Sequence, residues 1–393
     1  MPKMKASLSQ QFNPNLSRVQ PTPIRVFDNQ ASQIPGIVKL TLGEPDFNVP
    51  EVAKQAAIES IKDNDSHYSA GSGTPALRKA ISNYLKKHYD LDYDATTEIA
   101  VTIGATEAIY AALFAIIKPG DQVLIPTPTF PLYEAVVNLL GGEAINLDTS
   151  NNNFVLSPEA LQTALDQHEN VKAIVLNYPS NPTGVTYSAD QLKALADVLA
   201  DTNLVVIADE IYSELIYGGQ HTSIAKFLPG QTIVLNGASK SGAMTGYRIG
   251  FMAAPAELMK RLGMVHSIMI TSPSDPAMAA AVPIFDSEAG HQATLDMKAA
   301  YEKRRDFLVA ALQDLGFGVA TPNGAFYVFA KLPAKYGTDD EAFATKLAQE
   351  GKVAVIPGSY FGDGGEGYLR MSYATSMDNL KLAVDRIKTM LNK

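Results

Sequence analysis

The sequence predicts an α/β protein built around a mainly parallel sheet. Short apolar runs alternate with longer amphipathic ones from about residue 95 to 255. The apolar runs are nearly continuous, which is typical of strands that helices cover on both faces. The 393 residues are 46% hydrophobic and 19% charged, a globular balance that excludes an intrinsically disordered chain.

The order of these runs defines the elements of the predicted sheet. We predict helices over 105–118, 130–140 and 189–199, the first stopped by Pro119-Gly120 and the second by Gly141-Gly142. The predicted strands are 99–103, 121–125, 172–176, 204–208, 232–235 and 249–253.

The pattern changes near residue 276 and becomes that of an α+β unit. A long helical stretch over 276–312 is followed by alternating strand-like and helical segments. These segments are 325–329, 340–349, 353–356, 368–372 and 377–391. We therefore expect a large domain over 45–288 and a smaller domain that combines 1–44 with 289–393.

Composition excludes several classes of function. The net charge is −9, from 32 basic and 41 acidic residues, which disfavours a nucleic-acid partner. The absence of cysteine excludes disulfides, zinc–thiolate sites and cysteine nucleophiles. The six histidines include no H-E-x-x-H pair, so no metal site is predicted.

The apolar segments do not predict a membrane protein. The first residues contain no apolar core of a secretory signal, and the longest apolar run, 108–117, is about half of a membrane span. We therefore expect no membrane partner and a cytoplasmic location.

Two glycine-rich stretches resemble a dinucleotide-binding loop but lack its context. Such a loop joins a strand to a helix. Residues 71–76 follow a polar segment, and residues 362–367 lead into a predicted strand. Neither stretch predicts a dinucleotide site.

The segment over 235–251 carries the clearest chemistry. Lys240 follows an apolar strand and is surrounded by small residues, and Arg248 comes eight residues later. Ligands of α/β sheets bind at the carboxyl ends of strands, and a lysine held among cations and apolar walls can become nucleophilic. From the residues alone, a lysine and an arginine that only reach solvent remain an alternative.

Other predicted strands also end in polar groups. Asn181 lies beyond the 172–176 strand, Asp209 and Glu210 end the next one, and Gly104 opens the helix after the 99–103 strand. In a parallel sheet these ends meet at one edge. Because successive strand residues face opposite sides, Asp209 and Glu210 should not both face a ligand there.

Residues Ser239 to Gly250 read S-K-x-x-x-M-T-G-Y-R-I-G, and this segment resembles the signature of fold-type I pyridoxal-phosphate (PLP) enzymes of the aspartate/aromatic aminotransferase family. The resemblance continues in register from about Phe12 to the C-terminus and is nearest to bacterial aromatic amino-acid aminotransferases. Its other motifs are Leu42-Gly43-Glu44-Pro45-Asp46-Phe47, His67-Tyr68, Thr74-Pro75-Ala76-Leu77-Arg78, Asn177-Tyr178-Pro179-Ser180-Asn181-Pro182-Thr183-Gly184, Asp209-Glu210-Ile211-Tyr212, Gly324-Ala325-Phe326-Tyr327 and Leu369-Arg370-Met371-Ser372-Tyr373.

The resemblance implies roles around the cofactor. Lys240 would form a Schiff base with PLP and then move protons, and Asp209 would keep the ring nitrogen protonated, which makes the ring a stronger electron sink. Asn181 and Tyr212 would hydrogen-bond the phenolic oxygen, and Phe130 would stack on the ring. The phosphate would be held by four groups: Arg248, Ser239 and the backbone N–H groups of Ala105 and Thr106.

The resemblance also implies a substrate site and a dimer. Arg370 would bind the substrate α-carboxylate, assisted by Asn181 and the Gly43 backbone. Tyr68 would reach the phosphate of a neighbouring subunit, which implies a homodimer with shared active sites. Many relatives have a serine where this chain has Gly237, so one phosphate contact is open.

Simpler roles remain for three of these residues. Tyr68 and Phe130 could be ordinary packing aromatics, and Ser239 could cap a turn.

The implied activity is transfer of an amino group from an L-amino acid, aromatic in the first instance, to a 2-oxo acid such as 2-oxoglutarate. Aspartate and N-acetyl-diaminopimelate aminotransferases remain open, as does a cystathionine β-lyase-like C–S lyase, because the same electron sink serves both reactions. A PLP-fold transcription regulator would need an additional helix-turn-helix domain, for which we find no spare segment.

Overall fold

The computed structural model describes residues 2–392 and arranges its strands in three sheets. Within these residues the strands are β1 (Val38–Lys39), β2 (Ile99–Ile103), β3 (Gln122–Thr127), β4 (Glu143–Asp148), β5 (Val171–Asn177), β6 (Val205–Asp209), β7 (Thr232–Gly237), β8 (Ile249–Ala253), β9 (Gly318–Val319), β10 (Tyr327–Lys331), β11 (Val353–Ala354), β12 (Ile356–Pro357) and β13 (Tyr368–Ser372).

The helices surround these sheets. Within the same residues they are α1 (Pro23–Ala31), α2 (Glu51–Lys62), α3 (Pro75–Tyr89), α4 (Gly104–Ile116), α5 (Leu132–Leu139), α6 (Pro158–Gln167), α7 (Ala189–Leu199), α8 (Ala238–Ser241), α9 (Ala256–Ile270), α10 (Asp275–Asp286), α11 (Glu288–Asp314), α12 (Asp340–Lys346) and α13 (Met377–Leu391). None of them is long and apolar enough to cross a membrane.

The central sheet has seven strands in the order β2-β8-β7-β6-β5-β3-β4, which confirms the predicted α/β class. β8 is antiparallel to both of its neighbours, and the other pairs are parallel. The connection from β7 to β8 is shorter than the dozen or so residues that a parallel crossover needs, so β8 must return in the opposite direction. The carboxyl ends of β2, β5, β6 and β7 therefore share one edge.

Most predicted elements of this sheet exist, with shifted ends. Helix α7 and strand β8 have the predicted bounds, whereas α5 begins at Leu132 rather than at 130. The sequence analysis missed β4, which lies at the edge of the sheet and is half-exposed, so it lacks a continuous apolar run.

The C-terminal part contains β9, which was not predicted, and β10 covers Tyr327–Lys331 rather than 325–329. Two larger differences concern a helix and a strand. The long helix predicted over 276–312 is two helices, α10 and α11, because Ser287 is extended and its hydroxyl accepts a hydrogen bond from the Gly290 N–H. The strand predicted over 353–356 is two short strands in different sheets: β11 pairs with β1, whereas β12 pairs with β13.

Both chain ends contribute to one apolar cluster. It joins Phe27 and Leu40 from the N-terminal part with Leu308, Val328 and Ile387 from the C-terminal part. A four-stranded sheet, in the order β12-β13-β10-β9, forms part of this cluster. The cluster also takes in side chains from the loop after β6, so it packs directly against the end of this strand of the central sheet.

Candidate active site

Lys240 lies in α8, directly after β7, at the shared edge of the central sheet. Its Nζ donates a hydrogen bond of 2.5 Å to the Gly43 carbonyl and lies 5.6 Å from the centre of the Tyr212 ring. Burial lowers the pKa of the Lys240 amine to about 8; the positive charges of Arg248 and Arg370 add to this effect, and Glu44 opposes it. Roughly a tenth of this amine is therefore neutral, and hence nucleophilic, at pH 7, far more than for a lysine with an ordinary pKa.

Asp209 ends β6 and is 3% exposed. The Tyr133 hydroxyl donates to its Oδ2 at 2.7 Å, and the Ile211 N–H donates to its Oδ1 at 3.2 Å. Burial raises the pKa of Asp209 to about 6, although these two donors act in the opposite direction. The sequence analysis missed Tyr133, whose only signal is its place one helical turn after Phe130.

Glu210 points away from Asp209, in agreement with the alternation of a strand. Its carboxylate is bound by three side chains: the Tyr178 hydroxyl at 2.8 Å, the Ser223 hydroxyl at 2.6 Å and His221 Nε2 at 2.8 Å. Glu210 thus has structural partners, and Asp209 is the carboxylate left for the site.

The first turn of α4 and the Arg248 guanidinium lie together. Gly104 has φ of +70°, and a Cβ there would lie 2.6 Å from Arg248 Nη2, so the guanidinium packs directly against the start of the helix. Ala105 and Thr106 belong to this first turn, where backbone N–H groups have no partner within the helix. The positive end of the helix dipole and a guanidinium together suit a phosphate dianion.

Gly237 and Ser239 lie at the junction of β7 and α8. Ser239 is buried in α8. A Cβ at Gly237 would lie 2.6 Å from the Ile249 carbonyl oxygen, so a serine would not fit here without a shift of β8. Glycine at position 237, where many relatives have serine, therefore permits the close approach of β7 and β8.

Arg370, on β13, is a buried cation with vacant donors. Its Nη1 donates to Asn181 Oδ1 at 2.9 Å, and Nη2 donates to the Thr41 carbonyl. The guanidinium lies between two rings, 4.7 Å from the centre of Tyr327 and 4.9 Å from that of Phe361. Among residues 2–392 no carboxylate forms an ion pair with it.

Aromatic side chains connect these groups. The Tyr212 and Tyr327 hydroxyls are 2.8 Å apart, and Tyr327 packs against Gly43, where a Cβ would lie 2.5 Å from its hydroxyl oxygen. Phe130 packs edge-on against Tyr133, the partner of Asp209, with ring centres 5.9 Å apart. The sequence analysis did not single out Tyr327 as a site residue.

Tyr68 stands apart from this group. It lies in the loop between α2 and α3 with 86% of its surface exposed. Within the described part of the chain it has no hydrogen bond to the other predicted site residues. A role for Tyr68 in an active site would thus require a second subunit.

The chain matches the protein family described as aminotransferase class I and II over residues 35–387. It is 41% identical to the probable N-acetyl-LL-diaminopimelate aminotransferase of Bacillus subtilis, covering 97% of this chain and 96% of that one. It is 35% identical to the aromatic-amino-acid aminotransferase 2 of Thermococcus litoralis, covering 96% of this chain and 97% of that one. Among solved structures, the aspartate aminotransferase from Thermus thermophilus with maleate superimposes with a TM-score of 0.91 at 33% identity, covering 96% and 99% of the two chains.

Proposed function

This chain belongs to the class I and II aminotransferases, which are fold-type I PLP enzymes, and from that premise we propose that it binds PLP at Lys240 and transfers an amino group from an L-amino acid to a 2-oxo acid. The observation that carries the proposal is the Lys240 amine at the carboxyl end of β7, which donates to the Gly43 carbonyl and whose pKa burial lowers to about 8.

The residues present fit PLP. The first turn of α4 with Arg248 suits its phosphate, and buried Asp209 suits a protonated ring nitrogen because a carboxylate favours the charged form of a nearby base. Among residues 2–392 the Lys240 amine has no carboxylate within ion-pair distance, so it is available to bond the cofactor. When bound, PLP supplies an electron sink for the bond broken at the substrate α-carbon.

The side chains of this chain would then orient the substrate and move its proton. Arg370 would bind the α-carboxylate with the N–H groups that Asn181 and Thr41 leave free. This contact would direct the α-hydrogen toward Lys240. The Lys240 Nζ, whose pKa burial lowers to about 8, would in its neutral form take the proton from the α-carbon and later return it.

For the amino-group donor we propose an aromatic L-amino acid, with 2-oxoglutarate as acceptor. The resemblance of residues 42–47 to bacterial aromatic aminotransferases supports this choice. The relatives named for N-acetyl-LL-diaminopimelate and for aspartate make these the two alternative donors.

We also propose a homodimer with shared sites. Tyr68 is 86% exposed, and α9 presents three apolar side chains to the surface: Met264, Ile268 and Met269, with exposures of 64%, 86% and 40%. A second copy of the chain would cover such residues and receive Tyr68.

A panel of donors tests the activity. Purified protein with PLP and 2-oxoglutarate is given aromatic amino acids, aspartate and N-acetyl-LL-diaminopimelate, and glutamate formation is measured. The highest kcat/KM with an aromatic donor supports the proposal. Formation of pyruvate and ammonia from a cysteine conjugate, without glutamate, would instead identify a C–S lyase.

A further inference from the structure

A buried ion pair lies directly behind the first turn of α4. Glu107, in that turn, and His266, on α9, are 8% and 1% exposed. His266 Nδ1 is 2.7 Å from Glu107 Oε1, and His266 Nε2 is 2.7 Å from the Gly71 carbonyl oxygen. The other oxygen of Glu107, Oε2, accepts the N–H of Ile103 at 2.6 Å.

The partners of His266 determine its protonation. A backbone carbonyl only accepts hydrogen bonds, so Nε2 carries a proton, and Nδ1 faces a carboxylate. Burial lowers the pKa of His266, but the hydrogen bond and charge of Glu107, with the Gly71 carbonyl, outweigh this effect and raise the pKa overall. Because both ring nitrogens face acceptors, the geometry favours an imidazolium that pairs with the Glu107 carboxylate.

Glu107 lies where a negative charge would disturb phosphate binding. One turn of an α-helix rises about 5.4 Å, so its carboxylate lies within about one turn of the N–H groups of Ala105 and Thr106. An unpaired carboxylate there would repel a dianion and would compete with it for the positive end of the helix dipole. The ion pair removes this conflict and leaves Glu107 to hold the N–H of Ile103.

We propose that His266 is a positioning residue for the cofactor phosphate: it neutralises Glu107 and fixes it against α4, so that the first turn can bind the dianion. The inference rests on the proposed function. His266 does not touch the cofactor in this arrangement and acts through Glu107. Its second bond, to Gly71, also ties this turn to the loop that follows Tyr68.

Binding measurements with two ligands separate this role from a general structural one. The dissociation constants of PLP and of pyridoxal, which lacks the phosphate, are measured with the cofactor-free protein. His266→Gln removes the cation and should weaken PLP binding at least about tenfold, or roughly 1.4 kcal/mol, while pyridoxal binding stays unchanged. His291→Gln on α11 is the matched control and should alter neither constant.

Two further variants keep the test decisive. Glu107→Gln removes the carboxylate but keeps an acceptor for Ile103, and it should bind PLP at least as tightly as the wild type. The double variant with His266→Gln should recover most of the lost PLP affinity. If His266→Gln does not fold, Glu107→Gln alone decides, and a tenfold loss of PLP affinity in that variant overturns the inference.

The two proposals fail in different ways. If the wild type binds PLP and His266→Gln binds it equally well, or loses PLP and pyridoxal in parallel, the phosphate role of His266 is wrong and the proposed function stands. If the wild type binds neither ligand, the proposed function is wrong, and this inference falls with it.

Discussion

We expect the Arg370 guanidinium to bind the α-carboxylate of the substrate. The guanidinium is 3% exposed and uses two N–H groups on neutral acceptors, the Asn181 side chain and the Thr41 carbonyl. Its Nε is buried and has no hydrogen-bond partner among residues 2–392. A buried cation that lacks a carboxylate within residues 2–392 is expected to bind an anion from solution, and the substrate α-carboxylate is that anion.

The size of the effect follows from this burial. Loss of one partner of a buried, hydrogen-bonded charge pair costs about 2–5 kcal/mol. In kcat/KM this is roughly 30-fold to several thousand-fold, at tenfold for each 1.4 kcal/mol. Arg370→Ala should show the full loss with donor and acceptor alike, because both carry the carboxylate. Arg370→Lys keeps the charge without the planar fork and should recover only part of the activity.

The assay compares an amino acid with the amine that lacks its carboxylate. The wild type should strongly prefer the acid, and Arg370→Ala should lose most of this preference. PLP affinity should remain, because within residues 2–392 the Arg370 side chain donates to Asn181 and Thr41 and not to the first turn of α4. Thermal denaturation checks that the variant folds. A variant that keeps the preference for the acid but loses thermal stability would refute this role and make Arg370 a structural residue.

Three other expectations concern the cofactor and the dimer. Because only the neutral amine of Lys240 reacts, covalent uptake of PLP by the cofactor-free protein should accelerate as pH rises to about 8 and then level off, and Lys240→Ala should show no uptake and no turnover. A rate that keeps rising from pH 9 to 10 contradicts the lowered pKa. Gly104→Ala should weaken PLP binding about tenfold or more, because the new Cβ displaces Arg248 and a left-handed φ costs an alanine about 1 kcal/mol. Gly263→Ala, with open space around it, is the control. Equal PLP affinities of the two variants would show that Arg248 does not belong to the phosphate site. Sedimentation should show a dimer, and mixing Tyr68→Ala with Lys240→Ala chains should restore one wild-type site in each hybrid; no gain on mixing would mean that Tyr68 does not act across subunits.

The periodic parts of the chain could be predicted because their signal is local. Strand β8 and helix α7 match the predicted bounds, since a buried strand is a continuous apolar run and an amphipathic helix repeats its apolar side chains. Strand β4 was missed because an edge strand is half-exposed and carries polar residues. The break at Ser287 was missed because one extended residue does not interrupt the helical pattern of apolar side chains.

Part of the candidate site was also accessible from sequence. Lys240, Asp209 and Arg370 stand in ordered motifs, so the resemblance could name them, and strand alternation could separate Asp209 from Glu210. Family membership and the α/β class were then confirmed by the comparisons and by the central sheet.

What the tertiary structure alone decided is which distant groups meet. The bond from Tyr133 to Asp209 joins residues 76 positions apart, that from Asn181 to Arg370 joins residues 189 apart, and that from Glu107 to His266 joins residues 159 apart. No local pattern encodes such pairs, because they arise only when the strands and helices pack together in the folded chain. The sequence by itself thus determined the elements and the reactive side chains, whereas burial and long-range contacts set their charges and pKa values.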